Sequence, residues 1–407
     1  MISPRLRALV RCPACHGELD GDPVALTCRR CGTSYATSSP DFLDLRPHEE
    51  FREQTKYLDQ ALHADARYAR VSPPFLGSKI RNDMLRAFLA PSPSDRVIDL
   101  GCGSGRALLW NRDWQAQMVG VDIAPFFASE ARQQVDLLLG DLRRLPFADA
   151  TFTRGYSLDV LEHLSPEALR GMLREAARVI APGGTLFVYT HVRKNAPIAA
   201  GLRWINALAR RLERAGLIDM RQERLRKSDH LNPLADIPDL RRVAAETGFR
   251  IARIRYYTPI VGGLVENILM RLAEKRLAEG AKRANGAKGA KGAGAEGAGS
   301  AEGAGAGGAG GAEGAGAGGA GGAGGAEGAG SAEGAGAGGA GGAGGAGGAG
   351  GAPLSDEDAL KAARAAGKQR VADSASTRVV LRALTAAMKL DLLLFGRIES
   401  GDRKSVV

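Results

Sequence analysis

The chain has 407 residues, a formal net charge of +10 and a pI near 9.5, which predicts attraction to an anionic partner such as RNA, acidic lipid or a phosphorylated substrate. Five cysteines, four of them closely paired, indicate metal ligands in a reducing compartment and argue against a disulfide framework. Residues 1–10 lack the pattern of a signal peptide, and no run reaches the roughly 18 apolar residues of a membrane span. We therefore expect a cytoplasmic protein.

The first segment, residues 1–47, contains two Cys-x-x-Cys pairs. Cys12 and Cys15 form the first pair, Cys28 and Cys31 form the second, and twelve residues separate the pairs. Each pair can present two thiolates from a tight turn, and four thiolates complete a tetrahedral zinc site. The spacing predicts a small zinc ribbon with a structural metal, because protein atoms fill all four positions. An iron–sulfur cluster and free thiols are the alternatives.

Residues 48–94 are polar and acquire a helical apolar spacing in their second half, which predicts a helical lead-in or lid. From 95 to 258 short apolar runs alternate with helical patterns. This alternation predicts an α/β fold with a Rossmann-like, mostly parallel sheet and helices on both faces. The predicted strands are Val97–Leu100, Met118–Val121, Val135–Leu139, Thr153–Ser157, Thr185–Tyr189 and Arg250–Tyr256.

One helix of this region has clear start and stop signals. Ser165 suits an N-cap because its hydroxyl can accept a backbone hydrogen bond, and Pro166 suits the first turn. An apolar stripe follows, and Pro182-Gly183-Gly184 is expected to end the helix and turn the chain into the next strand.

The C-terminal part divides by composition into three segments. Residues 259–278 predict an amphipathic helix, and residues 279–352, almost entirely Gly and Ala, predict a disordered linker. Residues 353–407 predict a helical tail, and we expect its helix to lie near the helix that precedes the linker. The apolar face of the tail helix consists of Leu381, Leu384, Met388, Leu392 and Phe395.

The stretch 97–105 is a buried strand that ends in an acid and continues into a glycine-rich loop. Gly101, Gly103 and Gly105 permit a tight turn and a close approach of the backbone to a ligand, and the following helix offers unpaired N–H groups. The spacing differs from the Gly-x-Gly-x-x-Gly of NAD and FAD sites. Asp122 ends the second strand, where a carboxylate can accept hydrogen bonds from ribose hydroxyls and would repel the 2′-phosphate of NADP.

Two further segments extend this pattern. Gly140-Asp141-Leu142, followed by Leu145-Pro146-Phe147, suits the pairing of an exocyclic amine and the packing of an adenine ring. The fourth strand runs into a Leu-Glu-His-Leu segment at 161–164, and an Arg-Val-Ile-Ala-Pro-Gly-Gly turn follows at 178–184. With these elements in this order, residues 97–190 resemble class I S-adenosylmethionine-dependent methyltransferases of the type-11 family, which includes ubiquinone/menaquinone-pathway C-methyltransferases.

The resemblance implies S-adenosylmethionine as the cofactor, with the glycines at its methionine part, Asp99 at its amino group, Asp122 at its ribose and Asp141 at its adenine. It implies that Ser157 or Leu158 lines the cavity of methyl transfer. His191, just past the fifth strand, is the candidate for a base or substrate contact, with an ordinary surface position as the alternative. The complete set of expected cofactor residues is Asp99, Gly101, Gly103, Gly105, Asp122, Ile123, Asp141, Leu142 and Ser157.

The cysteine segment carries a second resemblance. Together with Ser39-Pro40-Asp41-Phe42-Leu43 it is similar to small zinc-binding proteins that activate RNA and protein methyltransferases. Zinc modules also precede the methyltransferase domain in some bacterial ribosomal RNA guanine methyltransferases. This resemblance implies a scaffold and leaves the ligand of the scaffold open.

Three functions remain to be compared. The type-11 resemblance favours methylation of a small or lipid-like metabolite, and the apolar C-terminal helices with flanking Arg and Lys could contact an anionic membrane at its inner face. An RNA methyltransferase is the alternative, with the zinc module and the basic stretch Arg193–Arg255 as its RNA-binding surface. A binding protein without catalysis is the third reading.

Overall fold

The computed structural model describes residues 2–22, 24–37, 39–47, 71–190, 199–220, 224, 230–231, 233–256, 261–273, 275–276, 279, 375–396 and 405–406. His191, residues 48–70 of the predicted lead-in, and the predicted linker 279–352 apart from Glu279 lie outside these residues.

The described residues form a three-stranded antiparallel sheet, β1-β2-β3, and an eight-stranded sheet in the order β10-β11-β9-β8-β5-β6-β7-β4. The neighbours from β9 to β4 are parallel, and β11 runs antiparallel to both β9 and β10. The strands are β1 (Leu19–Asp22), β2 (Ala25–Cys28), β3 (Ser34–Ala36), β4 (Leu43–Asp44), β5 (Arg96–Leu100), β6 (Gln117–Asp122), β7 (Asp136–Leu139), β8 (Phe152–Leu158), β9 (Ile180–Thr190), β10 (Arg255–Tyr256) and β11 (Ser405–Val406).

Helices cover both faces of the larger sheet, as predicted. Because side chains alternate along a strand, Ile98 and Leu100 of β5 pack into one core with α5 and α7, and Val97 packs into the other with α2, α3 and α9. The helices are α1 (Pro4–Leu9), α2 (Leu76–Leu89), α3 (Arg106–Trp110), α4 (Ser129–Gln134), α5 (Pro166–Val179), α6 (Ala199–Arg214), α7 (Ile237–Glu246), α8 (Val261–Leu264, continued by a π turn at Val265–Leu269) and α9 (Ala375–Phe395). None of the described helices is long and apolar enough to cross a bilayer.

The predicted α/β order is confirmed, with two differences at element boundaries. The N-cap of α5 is confirmed, since Ser165 Oγ accepts from the backbone N–H of Ala168. The chain passes from α5 into β9 without a loop, so Pro182-Gly183-Gly184 lies inside the strand instead of in a turn after the helix. The pairing of β8 with β9 shifts register beside this segment. Strand β10 is also shorter than the predicted span 250–256.

The cysteine segment is joined to the larger sheet by main-chain hydrogen bonds. Strand β4 pairs in parallel with β7, and the N–H of Leu45 donates to the carbonyl of Leu139 over 2.8 Å. The N–H of Arg11 donates to the carbonyl of Pro146, also over 2.8 Å. Leu43 and Leu45 are fully buried in the core that α5 covers. The segment therefore extends the sheet at its β7 edge.

The chain beyond the Gly/Ala tract returns to the same sheet. Helix α9 packs against α2 through Leu381 and Met388, and the N–H of Val261 at the start of α8 donates to Asp391 Oδ2 of α9 over 3.0 Å. The expected proximity of the two C-terminal helices is thus confirmed. The amphipathic helix predicted at 259–278, before the Gly/Ala tract, does not have a single apolar face. The π turn changes the spacing of its residues and leaves Leu264 and Leu269 exposed.

We predict that α9 is part of the folded core. Met388 is fully buried, so Met388→Ala is expected to lower the free energy of unfolding by about 2–5 kcal/mol through lost contacts and a cavity. Leu393 on the same helix is 77% exposed, so Leu393→Ala is expected to change it by about 0.5 kcal/mol or less. Urea denaturation of the full chain measures both. Equal effects of the two substitutions would contradict the packing of α9 on α2.

Candidate active site

A cavity of about 620 Å³ opens at the carboxyl ends of β5, β6 and β8. Most of the expected cofactor residues line it: Asp99, Gly101, Gly103, Asp122, Ile123, Asp141 and Leu142. In a parallel sheet the loops after neighbouring strands meet at one edge, which explains why residues more than 40 positions apart converge. Leu158 lines the cavity too, whereas Gly105 and Ser157 lie behind its wall.

The three glycines adopt left-handed backbone conformations. The lack of a side chain matters for packing at two of them and for access to the cavity at the third. A Cβ at Gly101 would lie 2.4 Å from Val160 Cγ2, and one at Gly105 would lie 2.8 Å from the Cβ of Ala131, so packing excludes a side chain at both. Gly103, with φ of 55°, meets nothing within 4 Å on its Cβ side and lies open to the cavity. Gly103 therefore leaves the backbone accessible to a ligand, and the other two glycines hold the loop in place.

Asp99 is the most buried acid of the cavity, with 1% of its surface exposed. Burial raises the pKa of Asp99 well above its usual value; the Tyr156 side chain opposes this rise, the charge of Asp122 adds to it, and Arg81 opposes it. A cationic group bound beside Asp99 would favour its ionised form. This position therefore suits the ammonium group of an amino acid.

Asp122 is held by the backbone around it. Its Oδ2 accepts from the N–H of Gly103 over 2.7 Å, and its Oδ1 accepts from the N–H of Ala124 over 2.9 Å. Burial raises the pKa of Asp122, and the hydrogen bonds from Ala124 and Gly103 oppose that rise. The carboxylate is thereby oriented at the end of β6, where its remaining lone pairs can accept from sugar hydroxyls.

Asp141 follows β7 and forms an ion pair with Arg143, two positions later in the sequence. Arg143 Nη2 lies 2.8 Å from Asp141 Oδ2, and the backbone N–H of Arg143 donates to Asp141 Oδ1 over 2.8 Å. This contact fixes the carboxylate against the cavity wall beside Leu142. Asp141 offers a hydrogen-bond acceptor, and Leu142 offers an apolar surface, to a purine ring.

Two residues of the cavity carried no signal in the sequence. Arg81 of α2 forms an ion pair with Asp159, and its guanidinium lies 5.3 Å from the ring centroid of Tyr189. Trp110 of α3 lines the cavity and donates from Nε1 to the carbonyl of Ser72 over 2.9 Å. Helix α2, predicted only as a lead-in, therefore supplies a charged wall of the site.

A second group of lining residues is mainly apolar. It consists of Val160, Leu164, Ala168, Met172 and Leu231, with His163 among them. Ser157, expected to line the cavity, is fully buried and donates from Oγ to the carbonyl of Leu100 over 2.8 Å, so its hydroxyl ties β8 to β5. The lining thus combines Asp99, Asp122 and Asp141, called the acidic half below, with this apolar group, called the apolar half.

The cysteine pairs meet as the sequence predicted. Cys12 Sγ lies 3.6 Å from Cys31 Sγ, and Cys15 Sγ lies 3.5 Å from Cys28 Sγ. Four sulfurs around a tetrahedral zinc ion at about 2.3 Å would be separated by about 3.8 Å, so the cluster fits this ion with little movement. A hydrogen bond with the Thr33 side chain lowers the pKa of Cys31 to about 6, which favours the ligating thiolate.

Comparison with known proteins places the central region in one family. Residues 98–188 match the family model described as a methyltransferase domain. The sterol 4-C-methyltransferase strm-1 of Caenorhabditis elegans is 29% identical over 31% of this chain and 41% of that protein. The probable tRNA methyltransferase 9B of Mus musculus is 32% identical over 31% of this chain and 29% of that protein. The chain therefore spans less than half of the length of these two relatives.

Among solved structures, the YcgJ protein of Bacillus subtilis is similar with a TM-score of 0.32 and 19% identity, over 42% of this chain and 68% of that one. The family match covers the strands and loops that build the cavity, from Ile98 to Val188. Residues 98–188 are therefore a methyltransferase domain of the class I, S-adenosylmethionine-dependent type-11 family.

Proposed function

We propose that the whole protein is an S-adenosylmethionine-dependent methyltransferase that acts on a small, lipid-like molecule. The observation that carries the proposal is the cavity of about 620 Å³, in which an acidic half adjoins an apolar half. The cofactor supplies a methyl group on a sulfonium, which is already activated for transfer. The residues of the chain then have to bind, align and exclude water.

The acidic half accounts for cofactor binding in this proposal. Asp99 pairs with the amino group of the cofactor, and the open backbone at Gly103 lies along its methionine part. Asp122 accepts from the ribose hydroxyls, with Ile123 beside it. Asp141 accepts from the adenine amino group, and Leu142 packs on the ring.

The apolar half supports a small apolar acceptor. Its walls, formed by Val160, Leu164, Met172 and Leu231, are suited to aliphatic groups, and the cavity volume lies in the usual range for small-molecule sites. These four apolar side chains do not favour contact with a charged nucleic acid backbone, and a base in a duplex would first have to leave its stack to enter.

The exposed side of α9 supports an acceptor taken from a membrane. Leu390, Leu393 and Leu394 are all more than half exposed, as are Val379 and Val380 about three to four turns earlier. Arg378 and Arg382 lie exposed on the same helix. An apolar stripe flanked by arginine suits the surface of an anionic bilayer. The proposed location is therefore the cytoplasm, at the inner face of the membrane.

Methylation of RNA is the second candidate, and helix α6 is the observation in its favour. Trp204 is 76% exposed on a helix whose arginines could contact phosphates while the indole stacks on a base. The exposed arginines of α6 are Arg203, Arg210, Arg211 and Arg214.

A labelling experiment separates the two candidates. With methyl-labelled cofactor and a cell extract, we expect the label in the lipid fraction, and label in RNA would contradict a lipid-like acceptor. Asp122→Ala is the control that should abolish all labelling, because it removes the proposed ribose contact. Replacing the four exposed arginines of α6 by glutamate should leave lipid labelling unchanged and would abolish RNA labelling if RNA were the acceptor.

The affinity for the cofactor is predicted to depend on pH through Asp99. Because the pKa of Asp99 is raised in the free protein, binding of the cofactor ammonium requires its ionisation and releases a proton below that pKa. Affinity should therefore rise with pH through the pKa of Asp99 and then level off. Calorimetric titration in two buffers of different ionisation enthalpy measures the proton release.

Asp99→Asn is expected to lower the affinity for the cofactor by 10-fold or more, which corresponds to about 1.4 kcal/mol per factor of ten. The substitution should also reduce the proton release on binding. Asp149→Asn, at a carboxylate that is 79% exposed outside the cavity, is the matched control and should behave like the unchanged chain. Proton release that persists fully in Asp99→Asn would contradict the assignment of Asp99.

The cysteine cluster is proposed to hold a structural zinc ion. Cys12 and Cys28 are buried in the same core as Leu43 and Leu45, so loss of the ion should loosen the β7 edge of the sheet. Cys28→Ser is expected to remove about one zinc per chain and to lower the thermal midpoint. Metal analysis with calorimetry tests this, and iron with sulfide in place of zinc would overturn it.

A further inference from the structure

A second group of metal-ligating side chains lies at the wall of the cavity. Glu162, His163 and His230 each offer a ligand atom, and these atoms all lie within 4.8 Å of one another. His163 lines the cavity, and so do Leu164 and Leu231, which follow the two histidines in sequence. The group is separate from the four cysteines and plays no part in the cofactor contacts proposed above.

The fold positions the carboxylate of this group closely. Glu162 and His163 belong to a 3-10 turn, Leu161–His163, that directly follows β8. Glu162 is 1% exposed, and its Oε2 accepts from the hydroxyl of Thr190 over 3.0 Å. Thr190, the last residue of β9, is itself fully buried. A hydrogen bond of this kind orients a carboxylate that is to ligate an ion.

The two imidazoles approach the carboxylate from different parts of the chain. The ring of His230, in the segment before α7, lies edge-on to the ring of His163, with centroids 4.6 Å apart and planes at 87°. A divalent cation bound by the carboxylate and both rings would further stabilise the negative charge of a buried glutamate.

The donor set and its spacing suit a transition-metal ion. Two imidazole nitrogens and one carboxylate oxygen are the ligands of catalytic zinc and of non-haem iron(II) sites. Ligand atoms that lie about 2.0–2.1 Å from a tetrahedral ion are about 3.4 Å from one another. Side-chain rotations that move the ligand atoms by about 1 Å would bring the three groups to this spacing. Three protein ligands leave at least one coordination position for another molecule.

We propose that Glu162, His163 and His230 bind a divalent transition-metal ion, and that its open position takes a hydroxyl oxygen of the methyl acceptor. The second half of this inference rests on the proposed methyltransferase activity. Coordination would lower the pKa of the hydroxyl, which would release its proton to bulk solvent as the acceptor binds, before water is excluded from the oxygen. The oxygen then forms a bond to the methyl carbon as the carbon–sulfur bond breaks, and the electron pair of that bond stays on the neutral thioether.

This assignment makes a protein base unnecessary. A hydroxyl that is already deprotonated on the metal needs only alignment with the sulfonium. The apolar residues beside His163 would hold the remainder of the acceptor and exclude water from the reacting oxygen. The acceptor is therefore predicted to be an apolar molecule that carries a hydroxyl group.

Metal binding is tested on the full chain with zinc and cobalt(II) alone. Equilibrium dialysis is expected to give two ions per unchanged chain, one at the cysteines and one at this group, and one ion in His230→Ala and in Glu162→Gln. Glu167→Gln, at an exposed position of α5, is the matched control and should keep two. With cobalt(II), the thiolate charge-transfer bands should persist in His230→Ala while the weaker visible bands of a nitrogen–oxygen site disappear.

Two results would overturn the metal site: one ion in the unchanged chain, or two ions retained in both variants. Because Glu162→Gln changes a buried residue, His230→Ala, at a half-buried position, carries the test if the first variant fails to fold. Cofactor titration of His230→Ala should match the unchanged chain. Absence of cofactor binding in the unchanged chain would instead count against the proposed function and leave the metal count interpretable.

The class of acceptor is tested with carbon-13 methyl cofactor and the labelled fraction of an extract. A product resonance in the O-methyl range, lost in His230→Ala, supports the inference. A resonance in the C-methyl or N-methyl range would overturn the assignment of a hydroxyl acceptor.

Discussion

The site depends on one set of hydrogen bonds between two neighbouring strands. The N–H groups of Gly101 and Cys102 both donate to the carbonyl of Val121, over 2.9 and 3.0 Å, and the N–H of Gly103 donates to Asp122 Oδ2. The glycine-rich loop after β5 is therefore fixed to the end of β6. Because the loop and the carboxylate hold each other in place, the shape of the acidic half is set before any ligand binds. Less conformational entropy is therefore lost when a ligand binds.

Segments distant in sequence protect both edges of the sheet that carries this loop. At one edge β4 pairs with β7, and Arg46, just after β4, donates to the carbonyl of Ile123 beside the site. At the other edge β11 lies between β9 and β10, although the Gly/Ala tract separates it from both in sequence. An open strand edge is prone to pair with other chains, so these additions limit association and also buttress the cavity. Loss of the proposed metal at the cysteines is consequently expected to affect the proposed cofactor site through main-chain pairing.

Period and position along the chain were enough to predict the parallel strands and the helices on both faces. The shared site of Asp99, Asp122 and Asp141 was what the family resemblance implied, and these residues meet because the carboxyl ends of parallel strands share one edge. Period and position were not enough for features set by tertiary packing. The two-residue strand β4 carries no detectable alternation, and the ion pair between Arg81 and Asp159 joins residues with no sequence signal. Ser157 or Leu158 was expected to line the cavity; alternation along β8 turns the Ser157 hydroxyl to Leu100 and leaves Leu158 at the wall.

The presence of an acidic half and an apolar half in one cavity affects the rate of the proposed methyl transfer. In the proposed arrangement the carboxylates of Asp99 and Asp122 bind groups remote from the sulfonium, while apolar residues such as Met172 surround the transferring methyl. Binding free energy from the remote groups can then offset the cost of placing a cation against an apolar wall. Transfer to an anionic oxygen disperses that charge, so the apolar half favours the transition state over the bound reactants.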